Sequence, residues 1–204
     1  MLYTDYVEQN DAFIFQFDNV VYPEKDYLLQ VYYLFAQFIE YGEQIEAQPI
    51  LRFMEESYQN EGNEGIFEKT AARFGLAEKY KVNFELLQQN ARLPLKLLLF
   101  APVLQTMKEI LRAGKKLFLL ADGLPLQQLN KIKQTEWNGV EQYLTVYFTD
   151  EVANGSVPHA VESIIVKHEL DASKLVFIGS DVTNQNPELS SKYKFLPIGK
   201  LLVP

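Results

Sequence analysis

The chain has 204 residues, 48% hydrophobic and 23% charged, which suits one core with a sizeable insertion or two small domains and excludes a disordered chain. Lys+Arg 19 against Asp+Glu 27 leaves a formal net charge of -8, so the non-specific attraction to phosphate backbones that nucleic-acid binders rely on is missing. Cys 0 removes disulfides, thiolate metal sites and cysteine nucleophiles together, and His 2 leaves little room for histidine catalysis. The first residues, MLYTDYVEQND, carry acids where a signal peptide would be basic, and no apolar run approaches the ~20 residues of a membrane helix. The expectation is a cytoplasmic chain with neither nucleic acid nor membrane as partner.

Residues 12–17 (AFIFQF) form a short apolar run of the kind found in strands buried on both faces. Helical patterns then follow one another: 23–41 as one long helix, 49–58, 66–74 up to Gly75, and 82–90 before Pro94, with the polar, glycine-rich NEGNEG at 60–65 as a loop. The first of these helices carries Tyr27, Tyr32, Tyr33, Phe35 and Phe38 and few polar residues, so it reads as apolar on every side and in need of cover on every side. Two explanations stand: packing within the protein, or a surface that closes over a ligand or pairs with a second chain. From residue 101 the pattern alternates. Helices at 103–113, 125–134 and 158–168 separate strand-like runs at 116–120, 144–148, 175–178 and 193–198. Pro125 and Pro158 stand near helix starts, where a missing N–H costs nothing, and Gly114 stands just past a helix end. Such alternation implies an α/β, doubly wound parallel sheet, and residues 23–97 become an inserted helical domain within a core of 1–22 and 98–204.

Four segments, FQFDNVVYPEKDY, KKLFLLADGLP, FTDEVANGSVP and LVFIGSDVTNQ, occur in the order and at about the spacing of the motifs of the haloacid-dehalogenase superfamily, which the chain resembles over nearly its whole length. The resemblance implies a Rossmann-like core, an α-helical cap and magnesium-dependent phosphate-ester hydrolysis, and its site residues, at the C-terminal ends of three different strands, make residues 12–17 the central strand. In that chemistry one aspartate attacks phosphorus and another, two residues on, acts as acid and base. The nucleophile position falls on Gln16, whose amide oxygen is a poor nucleophile. Asp18 matches the acid/base position. The phosphate-holding hydroxyl position falls on Ala121, followed by Asp122 and Gly123; the lysine position falls on Val157; and the acids of the last motif fall on Ser180, after Gly179, and on Gln185, with Asp181 one residue off register. Gln16, Ser180 and Gln185 remove negative charge while Val157 removes the matching positive charge, so the site reads as neutralised as a unit. Magnesium, the family's cofactor, then has no reason to bind.

Asp18 can be a surviving acid/base or a turn cap acting through its own carboxylate. Asp181 can be a metal ligand or an ordinary loop residue. His159 and His168 flank one predicted helix, the second where a positive charge suits the helix end, and both are expected on the surface. Trp137 is expected as a core or loop anchor. Three functions stay open: an inactive haloacid-dehalogenase-like protein, with a small-molecule phosphate or other small ligand between cap and core; an unorthodox phosphatase using Asp18; and a regulatory module that binds a protein partner or a second copy.

Overall fold

The computed structural model describes residues 3–153, 155–180, 183 and 187–202. The chain divides into two compact units, 1–24 with 97–204, and 25–96. In chain order the first unit begins with α1 (Tyr3–Gln9) and β1 (Ala12–Gln16). The second unit follows as α2 (Lys25–Glu43), α3 (Ala47–Glu61), α4 (Ile66–Phe74) and α5 (Tyr80–Asn90). The first unit resumes with β2 (Leu97–Leu98), α6 (Ala101–Arg112), β3 (Lys116–Ala121), α7 (Pro125–Gln134), β4 (Thr135–Glu136), β5 (Thr145–Phe148), α8 (Thr149–Ala153), α9 (Val157–Lys167), β6 (Leu175–Gly179), α10 (Pro187–Lys192), β7 (Lys194–Pro197) and α11 (Gly199–Leu202).

Five of the strands form one parallel sheet in the order β5-β3-β1-β6-β7, so the first strand of the chain is the central one. All five sheet strands lie on the apolar runs read from the sequence. The expectation of burial on both faces holds for β1, β3 and β6, which are buried almost throughout. It fails for β5 and β7, because an edge strand has only one neighbour and its outer residues meet water. Pro197 ends the edge strand β7, where a missing N–H is tolerated. On one side of the sheet Ile14, Phe118, Leu120, Leu175 and Phe177 pack with Ala160, Val161 and Ile164 of α9. The short parallel pair β2–β4 has no counterpart in the sequence reading: two residues per strand leave no period to detect.

The unit 25–96 is helical throughout, with four helices where the sequence placed four. Helix α3 runs on to Glu61, past the predicted start of the loop, and Gly62 then turns the chain with φ 78. Helix α2 is not apolar all round. Tyr27, Leu28, Val31, Tyr32, Phe35, Ala36 and Ile39 make one buried stripe at helical spacing, while Tyr33 and Phe38 are about two-fifths exposed and Tyr41 almost fully so. Phe35 meets Phe67 and Phe84 edge-on, and the phenol hydroxyls find acceptors within the unit: Tyr32 donates to Asn63 Oδ1 at 2.5 Å, and Tyr27 to the Gln88 carbonyl. Among the described residues, no helix is long and apolar enough to cross a membrane.

Candidate functional site

Three adjacent strands, β3, β1 and β6, end together, and their C-terminal ends carry Ala121, Gln16 and Ser180. That edge is where open α/β sheets place their ligands. Gln16 Oε1 accepts a hydrogen bond from the Ser180 backbone N–H at 3.3 Å and from the Thr183 hydroxyl at 2.8 Å. The Ser180 and Thr183 hydroxyls lie 2.8 Å apart, and the Thr183 N–H donates to Ser180 Oγ at 3.1 Å. The amide therefore ties β1 to the loop after β6. Ala121 is fully buried and contributes only backbone and a methyl group.

After β1 the chain turns sharply. Val21 N–H returns to the Phe17 carbonyl at 3.0 Å, and Asn19 takes φ 61, a left-handed conformation that Asn tolerates better than most residues. The Asn19 side chain and Glu24 close the loop with two hydrogen bonds of 3.1 Å. Inside this turn both oxygens of Asp18 are taken. Oδ1 accepts from the Tyr22 hydroxyl at 2.6 Å, and Oδ2 from Gln128 Nε2 at 2.7 Å and from Lys131 Nζ at 2.9 Å.

Lys131 is the residue that sequence reasoning missed. It is 1% exposed, stands on α7, and bridges Asp18 and Glu24, the latter at 3.2 Å. The expectation of a site cleared of charge at both signs is thus corrected: a cation is present, delivered from a different helix. Helix α7 hides this in sequence because its amphipathicity is reversed, with Gln128 and Lys131 buried while Leu126 and Leu129 are exposed. The one available signal was the spacing of three between Gln128 and Lys131, which puts both on one helix face.

Gln128 Nε2 also donates to the Asp122 carbonyl at 2.6 Å, and the Thr149 hydroxyl donates to Asp122 Oδ1 at 2.6 Å. With Nε2 engaged by two acceptors the amide orientation is determined, and Gln128 Oε1 is left buried without a donor among the described residues. Gly123 takes φ 101, as its place between β3 and α7 requires. Val157 does not join the site: it opens α9 and packs on the hydrophobic core. Gly179 lies in β6 beneath Phe177 and Phe195. Asp181 and Gln185 lie outside the described residues. Among the described residues no group of three His, Asp or Glu side chains is placed to hold a metal ion.

Trp137 is buried, stacks on Phe17 with centroids 6.0 Å apart, and donates its indole N–H to the Ile132 carbonyl at 2.9 Å. His159 is exposed, as expected. His168 is only partly exposed. Its ring lies 4.7 Å from that of Phe118 and its Nε2 is 2.8 Å from the Tyr147 hydroxyl; burial first, then the Lys116 and Lys167 charges, hold its pKa below the usual histidine value.

No family model matches the sequence, and no curated protein matches it. Solved structures do. The unknown transcript 4 protein of Saccharomyces cerevisiae is similar at TM-score 0.57 and 12% identity, covering 91% of this chain and 89% of its own. A haloacid dehalogenase-like family hydrolase of Xanthomonas campestris gives 0.54 at 14% identity, covering 94% and 83%, and the L-2-haloacid dehalogenase of Xanthobacter autotrophicus gives 0.54 at 10%, covering 92% and 77%. The order of the parallel sheet, the helical insertion after its central strand and these structural likenesses converge on one conclusion: the chain has the haloacid-dehalogenase-like hydrolase fold.

Proposed function

We propose that this chain keeps the hydrolase fold without its hydrolytic chemistry. The observation that carries this reading is the state of Asp18, whose two oxygens face three donors, one of them a buried ammonium group. A general acid/base must exchange its proton with substrate, whereas this carboxylate is held as the acceptor of an internal network. Gln16, at the position of the nucleophile, has no carboxylate, and its amide oxygen is spent on Ser180 and Thr183.

The residues do not fit magnesium. The ion asks for several oxygen ligands in octahedral array and keeps part of its water. Among the described residues the side-chain oxygens that Gln16, Ser180, Thr183 and Asp18 bring to the strand ends are those of one amide, two hydroxyls and one carboxylate, and the Lys131 ammonium, 2.9 Å from that carboxylate, already supplies the counter-charge. The test is an assay of the full chain against an aryl phosphate, a panel of sugar phosphates and a short 2-haloacid, with and without magnesium. No turnover above background is expected in any arm. Metal-dependent turnover that is lost in Asp18→Asn would replace this reading with that of an unorthodox phosphatase.

One observation favours a retained ligand at the same edge of the sheet. Gln128 Oε1 is a buried acceptor that lacks a donor among the described residues, and a ligand hydroxyl or amine would satisfy it. A hydroxyl-bearing compound from a small-fragment screen that protects the Gln128 side-chain resonance supports this; no such compound, with Gln128→Met at least as stable as the parent, counts against it.

A further inference from the structure

We infer that a pocket at the opposite edge of the sheet, where β3 and β5 begin, binds a small organic phosphate: a phosphate monoester on a flat apolar body. Its volume is ≈ 350 Å³, within the usual range for small-molecule sites. The last turn of α6 and the turn after β4 form its walls. Lys108 and Arg112 stand one helical turn apart on the α6 side, and neither has a carboxylate partner among the described residues.

Helix capping does not account for them. The Glu109, Ile110 and Leu111 carbonyls at the end of α6 already accept from the backbone N–H groups of Ala113, Lys115 and Gly114. Glu109, the acid between the two cations, is bonded to Gln105 instead. Glu136 and Glu141 belong to the facing connection but do not line the pocket. A pair of cations, one of them a guanidinium fork, matches a dianionic phosphate better than a single carboxylate.

The rest of the lining is apolar or backbone. Leu111 and Val140 supply aliphatic surface, and Tyr143, 59% exposed, supplies an aromatic one. The facing turn is preformed. Asn138 and Gly139 take φ 54 and 89, the Asn138 side chain donates to the Glu136 carbonyl at 3.1 Å, Gln142 Nε2 donates to the Gly139 carbonyl at 3.2 Å, and the preceding Trp137 is anchored in the core. A ligand there pays little to order the turn.

Calorimetric titration of the full chain with phenyl phosphate tests this, with inorganic phosphate and phenol as the two half-ligands. Saturable one-to-one binding of phenyl phosphate, tighter than either half, is expected. Lys108→Gln with Arg112→Gln should weaken it by about tenfold or more, the scale of lost charge-assisted contacts. Tyr143→Ala should weaken phenyl phosphate severalfold and leave inorganic phosphate unchanged. Lys133→Gln, which removes a cation elsewhere on the surface, should change neither. Absence of saturable binding, or binding untouched by both the charge and the tyrosine variants, overturns the proposal. Binding is read without turnover, and release of phenol would count against the proposed lack of hydrolysis alone, so the two readings fail separately.

Discussion

Replacing Lys131 by Met removes a 1% exposed ammonium from between Asp18 and Glu24, whose side chains are 17% and 30% exposed. Breaking a fully buried pair costs about 3–5 kcal/mol; here water reaches both acids, and a loss nearer 2 kcal/mol is expected. Asp18→Asn should be destabilising as well, since it weakens the acceptor of three donors. If the two groups act as one unit, the double variant will be less destabilised than the sum of the singles, by roughly 1–2 kcal/mol in denaturant melts. Additivity within about 0.5 kcal/mol would mean that Lys131 is held by Glu24 and packing rather than by Asp18. None of this was legible from residue identity. Asp18 could be singled out by its motif, but its partner lies 113 positions away on a helix whose leucines point outward, and only the fold brings the two within 2.9 Å.

At the scale of elements, the strand ends are packed tightly enough to reject one methyl group. A Cβ at Gly179 would sit 2.8 Å from Phe177 Cε1 and 2.9 Å from Phe195 Cζ, so Gly179→Ala should cost about 1–3 kcal/mol through displaced rings, read as a lower denaturation midpoint. An unchanged midpoint would show that the two rings move aside freely. The end of α9 makes a second prediction. His168 has its pKa lowered in the fold, so the unfolded chain binds the extra proton first as pH falls. Its contribution is therefore complete above the unfolded value of about 6.5 and is lost as pH drops through the lowered folded value. Thermal melts between pH ~5 and ~7.5 should show stability falling toward acid, and His168→Gln should flatten that slope. A slope unchanged by the substitution would assign it to other groups. Asp11 and Asp171, whose pKa values are lowered by nearby lysine or serine donors, lose their contribution only at more acid pH.

For the whole molecule, the proposed loss of a magnesium site has a consequence independent of any assay of turnover. A ligand that binds the folded chain raises its unfolding midpoint by mass action, and one that does not bind leaves it alone. Millimolar magnesium should thus leave the melting temperature unchanged beyond the effect of equal ionic strength from a monovalent salt. A rise of several degrees, abolished in Asp18→Asn, would restore the metal centre.

The alternation of apolar runs and helical periods was enough to place the five strands of the sheet, because strands covered by helices on both faces are apolar along their length, and the placing of the site residues at strand ends made the first of them central. The helical insert was legible for a similar reason: four apolar stripes at helical spacing, punctuated by Gly62, Gly65 and Gly75, leave little else for residues 25–96 to form. What the sequence could not decide was which way a polar residue points. Gln128 and Lys131 stand on a helix with exposed leucines and are buried, and His168, expected on the surface, is half-buried with its ring tilted against that of Phe118. Gln16, Ala121 and Val157 were visible as letters at the positions where the resemblance expects catalytic groups. The replacement ion pair was not, since burying an ammonium is favourable only where carboxylates from distant segments meet it, and local pattern carries no record of that meeting.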